Sequence, residues 1–276
     1  MTIAIAAITN PEDVIVCVSD RMLSFGDFFQ AEDNAIVKAI RLHDQWTLAW
    51  AANNVSVILP IVEEIRQRLD AKKVDWTRRE AADALADVYL ERAHKEFVST
   101  HLSKLGYKNM EEFRSQGRID LGDNNFTDIL IELGRFDLGA VFLLFGHDKQ
   151  KHGKLYCVEG PGRAVDCNAL KYAVIGSGQN MAMASLRWPP PLNFLLENTI
   201  YRLLEAKFSA ETATGVGKTT TVALRNREGH VTLLQRSEIE EIRRIWRRDV
   251  ADVPDPPEAI AILEKSHAVR EVAGDL

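Results

Sequence analysis

Thr2-Ile3-Ala4-Ile5-Ala6-Ala7-Ile8-Thr9 is an alternating, β-branched run that reads as a strand and starts the chain in β structure. Further strands are expected at residues 14–19, 37–42 and 46–52, set apart by turn residues such as Asn10-Pro11-Glu12-Asp13. Two helical patterns follow at residues 57–71, where Pro60 is tolerable in the first turn, and 77–102, closed by Gly106. Residues 106–138 carry Gly, Asn, Asp and mixed charge around the short apolar piece Ile129-Leu130-Ile131, which marks a helical or loop excursion from the core with bounds of about 103–138. Strand character returns at residues 140–145, 155–158 and 172–175. Pro189-Pro190-Pro191 splits a second helical pair at 181–188 and 192–208, because proline cannot sit inside a helix. Strands at 219–225 and 230–235 and a helix at 238–248 end the body, and a polar tail lies beyond Pro254-Asp255-Pro256-Pro257. Strands, two helices, strands, two helices, strands is the order of two antiparallel sheets packed face to face under helical covers. The expected fold is therefore α+β, a four-layer αββα sandwich.

With 276 residues, 46% hydrophobic and 27% charged, the chain has a globular composition and enough length for a buried core. A net charge of -6 argues against a nucleic-acid partner, which needs clustered Lys and Arg. The basic stretch Arg243-Arg244-Ile245-Trp246-Arg247-Arg248 follows an acidic lead-in from Glu238 to Glu241 and reads as a solvated helix with charge-complemented ends. Cys17, Cys157 and Cys167 form an odd set without metal-ligand spacing, which suits a reduced, cytoplasmic interior, and no histidine shows metal spacing either. No cofactor is expected. The roughly eighteen consecutive apolar residues of a membrane helix are nowhere present, and no basic segment precedes the first apolar run, so neither a membrane partner nor a signal peptide is expected.

Thr2 combines a hydroxyl and, once Met1 is removed, a free α-amine on one residue. Such an amine has a pKa of ~7.7–8.0 and serves as a base near neutrality, which is the chemistry of an N-terminal threonine nucleophile. The duller reading is that Thr2 merely opens a strand. Asp20, followed by Arg21, ends the apolar strand from Val14, where a carboxylate either caps a turn or points into a cleft. Lys38 shares a strand face with Ile40 and Leu42, so it either snorkels or is buried with a partner. If that partner is Asp20, the ammonium lowers the cost of an alkoxide on Thr2.

The order of Thr2, then Val18-Ser19-Asp20-Arg21, then Asn34-Ala35-Ile36-Val37-Lys38-Ala39-Ile40 resembles the proteasome β-subunit family of N-terminal nucleophile (Ntn) hydrolases. Tyr172-Ala173-Val174-Ile175-Gly176-Ser177-Gly178 is similar to that family's Gly-Ser-Gly turn at the head of a helix. Glu211-Thr212-Ala213-Thr214-Gly215 is similar to the segment in which an Asp and, three residues on, a Ser support the threonine amine, here with Glu and Thr. Thr221-Val222-Ala223-Leu224 falls where the family has its next strand. The resemblance covers residues 2–248 and implies an Ntn-hydrolase domain at 1–250, with a partly helical tail at 251–276. It implies a threonine-type peptidase or amidohydrolase in which Thr2 attacks, Asp20 orients Lys38, and Ser177, Glu211 and Thr214 hold the amine and a water. It also implies a peptide or protein substrate and a homo-oligomeric ring, with any unfoldase partner unknown.

Two positions depart from the family. The best register places the backbone N–H of Trp50, in Leu48-Ala49-Trp50-Ala51-Ala52, where the family has a Gly as oxyanion donor. Thr2 here follows Met1 rather than a propeptide, and retained Met1 leaves no free amine. A small-amide hydrolase or transpeptidase, and a non-catalytic structural subunit that keeps Met1, are the alternatives. Gly215-Val216-Gly217-Lys218-Thr219 imitates the end of a phosphate-binding loop, but the first Gly of that motif would fall at Thr212, and a strand rather than a helix is expected to follow.

Overall fold

Among the residues that the computed structural model describes (2–11, 13–22, 38–71, 76, 79–187, 194–249 and 257–274), ten strands form two antiparallel sheets. One sheet contains β1 (Ile3–Ile8), β2 (Ile15–Asp20), β8 (Tyr172–Gly176), β9 (Thr220–Arg225) and β10 (Val231–Leu233), in the order β10-β9-β2-β1-β8. The other runs in sequence order through β3 (Ala39–Arg41), β4 (Trp46–Ala52), β5 (Ala140–His147), β6 (Gly153–Glu159) and β7 (Arg163–Asp166). Helices α1 (Ile58–Ala71) and α2 (Glu80–Thr100) cover the second sheet, and α4 (Gln179–Arg187), α5 (Leu196–Ala210) and α6 (Arg236–Asp249) cover the first. This is the four-layer αββα sandwich.

The two-residue period of a strand assigns each side chain to a layer. Ile3, Ile5 and Ala7 of β1, with Val16, Val18, Val222 and Leu224, face the helices. Ala4, Ala6 and Ile8 turn the other way and meet Ala49, Ala51, Leu143 and Phe145 between the sheets. Alanines at facing positions of β1 and β4 let the two sheets approach closely, which matters because Thr2 adjoins β1 and must reach groups of the opposing sheet.

Three segments carry detail that the sequence left open. Residues 106–138 hold a helix, α3 (Met110–Arg135), broken at Gly122, whose φ is 76°. Asn109 caps it by accepting from Glu112 N, while the Glu112 carboxylate accepts from Lys108 N, and Phe113, Phe126 and Leu133 form a small core with Phe97 of α2. The polar tail contains α7 (Pro257–Lys265) and α8 (His267–Gly274), whose Ala259, Leu263, Ala268, Val269 and Val272 join the core over the first sheet. Short, half-exposed β7 pairs with β6 only and carries almost no apolar signal. Residues 34–37, Pro189-Pro190-Pro191 and Met1 lie outside the described residues. No described helix is long and apolar enough to cross a membrane.

Candidate active site at Thr2

Strand register brings the candidate residues together. Ala4 pairs with Ser19, so Asp20 comes level with Ile3, and Asp20 itself pairs with Thr220 on its other side. Asp20 thus ends the central strand of its sheet, fully buried. Its Oδ1 accepts from Ile3 N at 3.0 Å, from Lys38 Nζ at 2.8 Å and from the Thr2 hydroxyl. Its Oδ2 accepts from Gly217 N at 3.1 Å and Met22 N at 3.3 Å. Five donors, one of them the buried Lys38 ammonium, thus satisfy this buried carboxylate.

Lys38 reaches this carboxylate from the opposing sheet. It precedes β3, is 1% exposed, and donates from Nζ to Thr2 Oγ1 as well as to Asp20. Of the two readings left open by its strand face, the buried and paired one is observed. The Lys38 ammonium also stands 5.9 Å from the centre of the Trp50 ring. A hydroxyl oxygen between an ammonium and a carboxylate has a donor where negative charge would develop and an acceptor for its proton.

Ser177 closes the other side of Thr2. Its Oγ is 3.3 Å from Thr2 N, from which it accepts, and 3.3 Å from Thr2 O, to which it can donate. Gly176 makes this approach possible: its φ is 101°, and a Cβ there would stand 2.2 Å from Thr2 O. Thr214 contributes its carbonyl, 3.5 Å from Ser177 Oγ.

Glu211 does not meet Thr2. It accepts from Lys207 Nζ and, bidentately, from Arg243 at 2.7 and 2.6 Å. Lys207 is fully buried and also donates to the carbonyls of Gly217 and Lys218 at 2.9 and 3.0 Å. Arg243 holds the Lys218 carbonyl at 2.6 Å and Thr220 Oγ1 at 3.1 Å. The two cations thereby pin the loop whose Gly217 N–H is aimed at Asp20. Burial pushes the Lys207 amine down to about 8, with Glu211 opposing the shift. Arg243 is thus 4% exposed, not solvated as its basic neighbourhood suggests, because it shares the inner face of α6 with Ile239 and Ile242.

A cleft of about 380 Å³ opens beside Thr2 between Ala52, Asn53, Asp137, Gly139 and Ser177. Backbone groups alternate in direction along β4. Asn53 N reaches Gly139 O on the β5 side at 2.9 Å, whereas Trp46 O accepts from Leu42 N on the β3 side at 3.0 Å. Even-numbered residues therefore face β3, and the N–H of Ala52 points to that side beyond Ala39, where β3 begins. The Trp50 indole packs in the core under α1 and α2. Burial pushes the Cys17 and Cys157 thiols up to about 12 and raises that of Cys167 as well.

No family model and no curated protein matches the chain. A solved structure of an Anbu (Gly-1) mutant from Hyphomicrobium sp. strain MC1 shares its fold with a TM-score of 0.63, over 91% of this chain and 95% of that one, at 14% identity. At that identity the likeness is one of fold, and the fold is proteasome-like.

Proposed function

We propose that this chain is an N-terminal-threonine hydrolase that cleaves a peptide or amide bond through an ester on Thr2, after Met1 is removed. The observation that carries the reading is the buried convergence of the Thr2 hydroxyl, the Asp20 carboxylate and the Lys38 ammonium from two different sheets. Thr2 Oγ1 attacks the substrate carbonyl carbon and its proton passes to the Thr2 α-amine, held beside Ser177. Lys38, paired with Asp20, stabilises the negative oxygen as it forms. The N–H of Ala52, rather than that of Trp50, donates to the oxyanion, because Ala52 lines the cleft. The C–N bond breaks as the leaving amine takes the proton back from the α-ammonium. Water then attacks the Thr2 ester, losing its proton to the same amine, and releases the acid. Glu211 and Thr214 act at one remove, Glu211 through Lys207 and Arg243 and Thr214 through Ser177. A homo-oligomeric ring belongs to the same reading and is checked by native mass spectrometry.

A β-lactone or epoxyketone probe should acylate the wild-type protein on Thr2 and leave the Thr2→Ala variant unlabelled. Intact-mass measurement in the native host should show loss of Met1. Labelling of Thr2→Ala at the wild-type rate, or full retention of Met1, overturns the proposal.

A further inference from the structure

Among the described residues that line the cleft beside Thr2, Asp137 is the one with an ionisable side chain. The other polar side chains there are Thr2 and Ser177, both engaged at the nucleophile, and the neutral amides of Asn53 and Gln179. We propose that Asp137 selects the substrate, so that the peptide or amide cleaved at Thr2 carries a cationic side chain, such as that of lysine, close to the scissile bond. The inference rests on the reading of Thr2 as the nucleophile and names the substrate class for that same site.

Three elements hold Asp137 in place. It stands three residues ahead of Ala140, which pairs with Ala52, and so lies at the same end of the β4–β5 pair as the Ala52 N–H. Its Oδ1 accepts from Gly139 N at 2.9 Å and from the Tyr89 hydroxyl. Tyr89 belongs to α2, is fully buried, and meets the Phe142 ring edge-on at 6.2 Å. Burial, and Asp137 beside it, push the Tyr89 hydroxyl well up from its ordinary value, which keeps it a donor. Gly160, just past β6, leaves room for the carboxylate: a Cβ there would stand 2.5 Å from Asp137 Cγ and 2.9 Å from its Oδ2.

One oxygen is thus used in holding the turn, and the other accepts from no described residue. No Lys, Arg or His of the described residues pairs with Asp137, which is exposed although Tyr89 and Leu138 beside it are buried. A carboxylate without a counter-charge, in a cleft whose other side chains are neutral, attracts a cation and repels an anion. With Oδ1 occupied twice, the two-point fork of an arginine cannot form, so a single-point contact to a lysine ammonium suffices. Capping the turn would need only Oδ1, and an asparagine would serve that purpose equally.

N-acetylated peptide epoxyketones that differ at one residue test the preference through their rates of Thr2 labelling. Lysine, norleucine or glutamate is placed in turn at the attacked residue and at each of the two before it. At one of these positions the wild-type chain should react about tenfold faster with lysine than with norleucine, and slowest with glutamate. Asp137→Asn keeps an oxygen for Tyr89 and Gly139, and in that variant the lysine-to-norleucine ratio should fall to about one. Added salt should shrink the same ratio in the wild-type chain, and a salt-insensitive ratio overturns the inference if Asp137→Asn does not fold. Norleucine labelling with no gain from lysine at any position, or a lysine gain that survives in folded Asp137→Asn, overturns it and leaves the Thr2 reading standing. Failure of every probe to label Thr2 overturns both.

Discussion

Gly176 links backbone geometry to chemistry more directly than any other described glycine. At φ 101° it occupies a conformation that L side chains rarely adopt, and Thr2 O fills the space a Cβ would need. Ser177 lies next in the chain, so its contacts with Thr2 N and Thr2 O depend on that close passage of β8 beside β1. Gly176→Ala adds strain on the order of 1–3 kcal/mol and forces the two strands apart at the nucleophile. The expected outcome is a folded, less stable protein whose Thr2 labelling falls by at least about a hundredfold, read by probe kinetics beside a denaturation curve. Wild-type labelling in that variant would show that Ser177 does not position the Thr2 amine.

The loop between α5 and β9 is held by charge rather than by apolar packing. Lys207 and Arg243 grip its carbonyls, Glu211 compensates both cations, and Gly217 N–H is delivered to Asp20. Lys207→Met keeps the side chain's length but leaves the buried Gly217 carbonyl without this donor, at about 1–3 kcal/mol, and Glu211 without one of its two cations, while the Lys218 carbonyl keeps Arg243. It should lower stability by a few kcal/mol and slow Thr2 acylation, whereas Lys207→Arg should recover part of both. Loss of stability with an unchanged acylation rate would separate the clamp from the chemistry. These roles were hidden in the sequence for a physical reason. Thr2, Asp20, Lys38 and Ser177 stand at or beside strand ends, and it was their ordered resemblance to the proteasome β-subunit family, not alternation alone, that pointed to their meeting. The partners of Lys207, Glu211 and Arg243 come from helices and a loop whose mutual placement follows only from tertiary packing, and Arg243 is indistinguishable in the sequence from exposed Arg244. The strands were readable because both faces of each sheet are covered and their residues are apolar accordingly. Helix α3 was legible only as a helical or loop excursion, because Gly122 interrupts its periodicity and its core is shared with the end of α2.

With the outer face of each sheet sealed by helices and the inner faces packed on each other, buried polar groups collect at the two ends of the sandwich, and the ends differ in how charge is settled. Around Thr2 the buried ammonium of Lys38 faces the buried carboxylate of Asp20. Around Arg225, burial instead keeps His147 neutral, down to about pH 4 against an ordinary value of 6.5. The folded state therefore resists taking up a proton that the unfolded chain binds below about pH 6.5. Between those two values the unfolded state holds more protons at His147, so stability rises with pH across the window and falls on acidification through it. The effect is on the order of a few kcal/mol at ~1.36 kcal/mol per pKa unit, and below about pH 4 this group adds no further slope. Carboxylates titrate in the same range, so the contribution of His147 is isolated by difference. The urea-unfolding free energy of the wild-type chain should drop more steeply from pH 6.5 to 4 than that of His147→Gln. Parallel curves would mean that the imidazole takes up its proton in the folded protein as readily as in the unfolded chain, and that the far end opens to water before the rest of the sandwich unfolds.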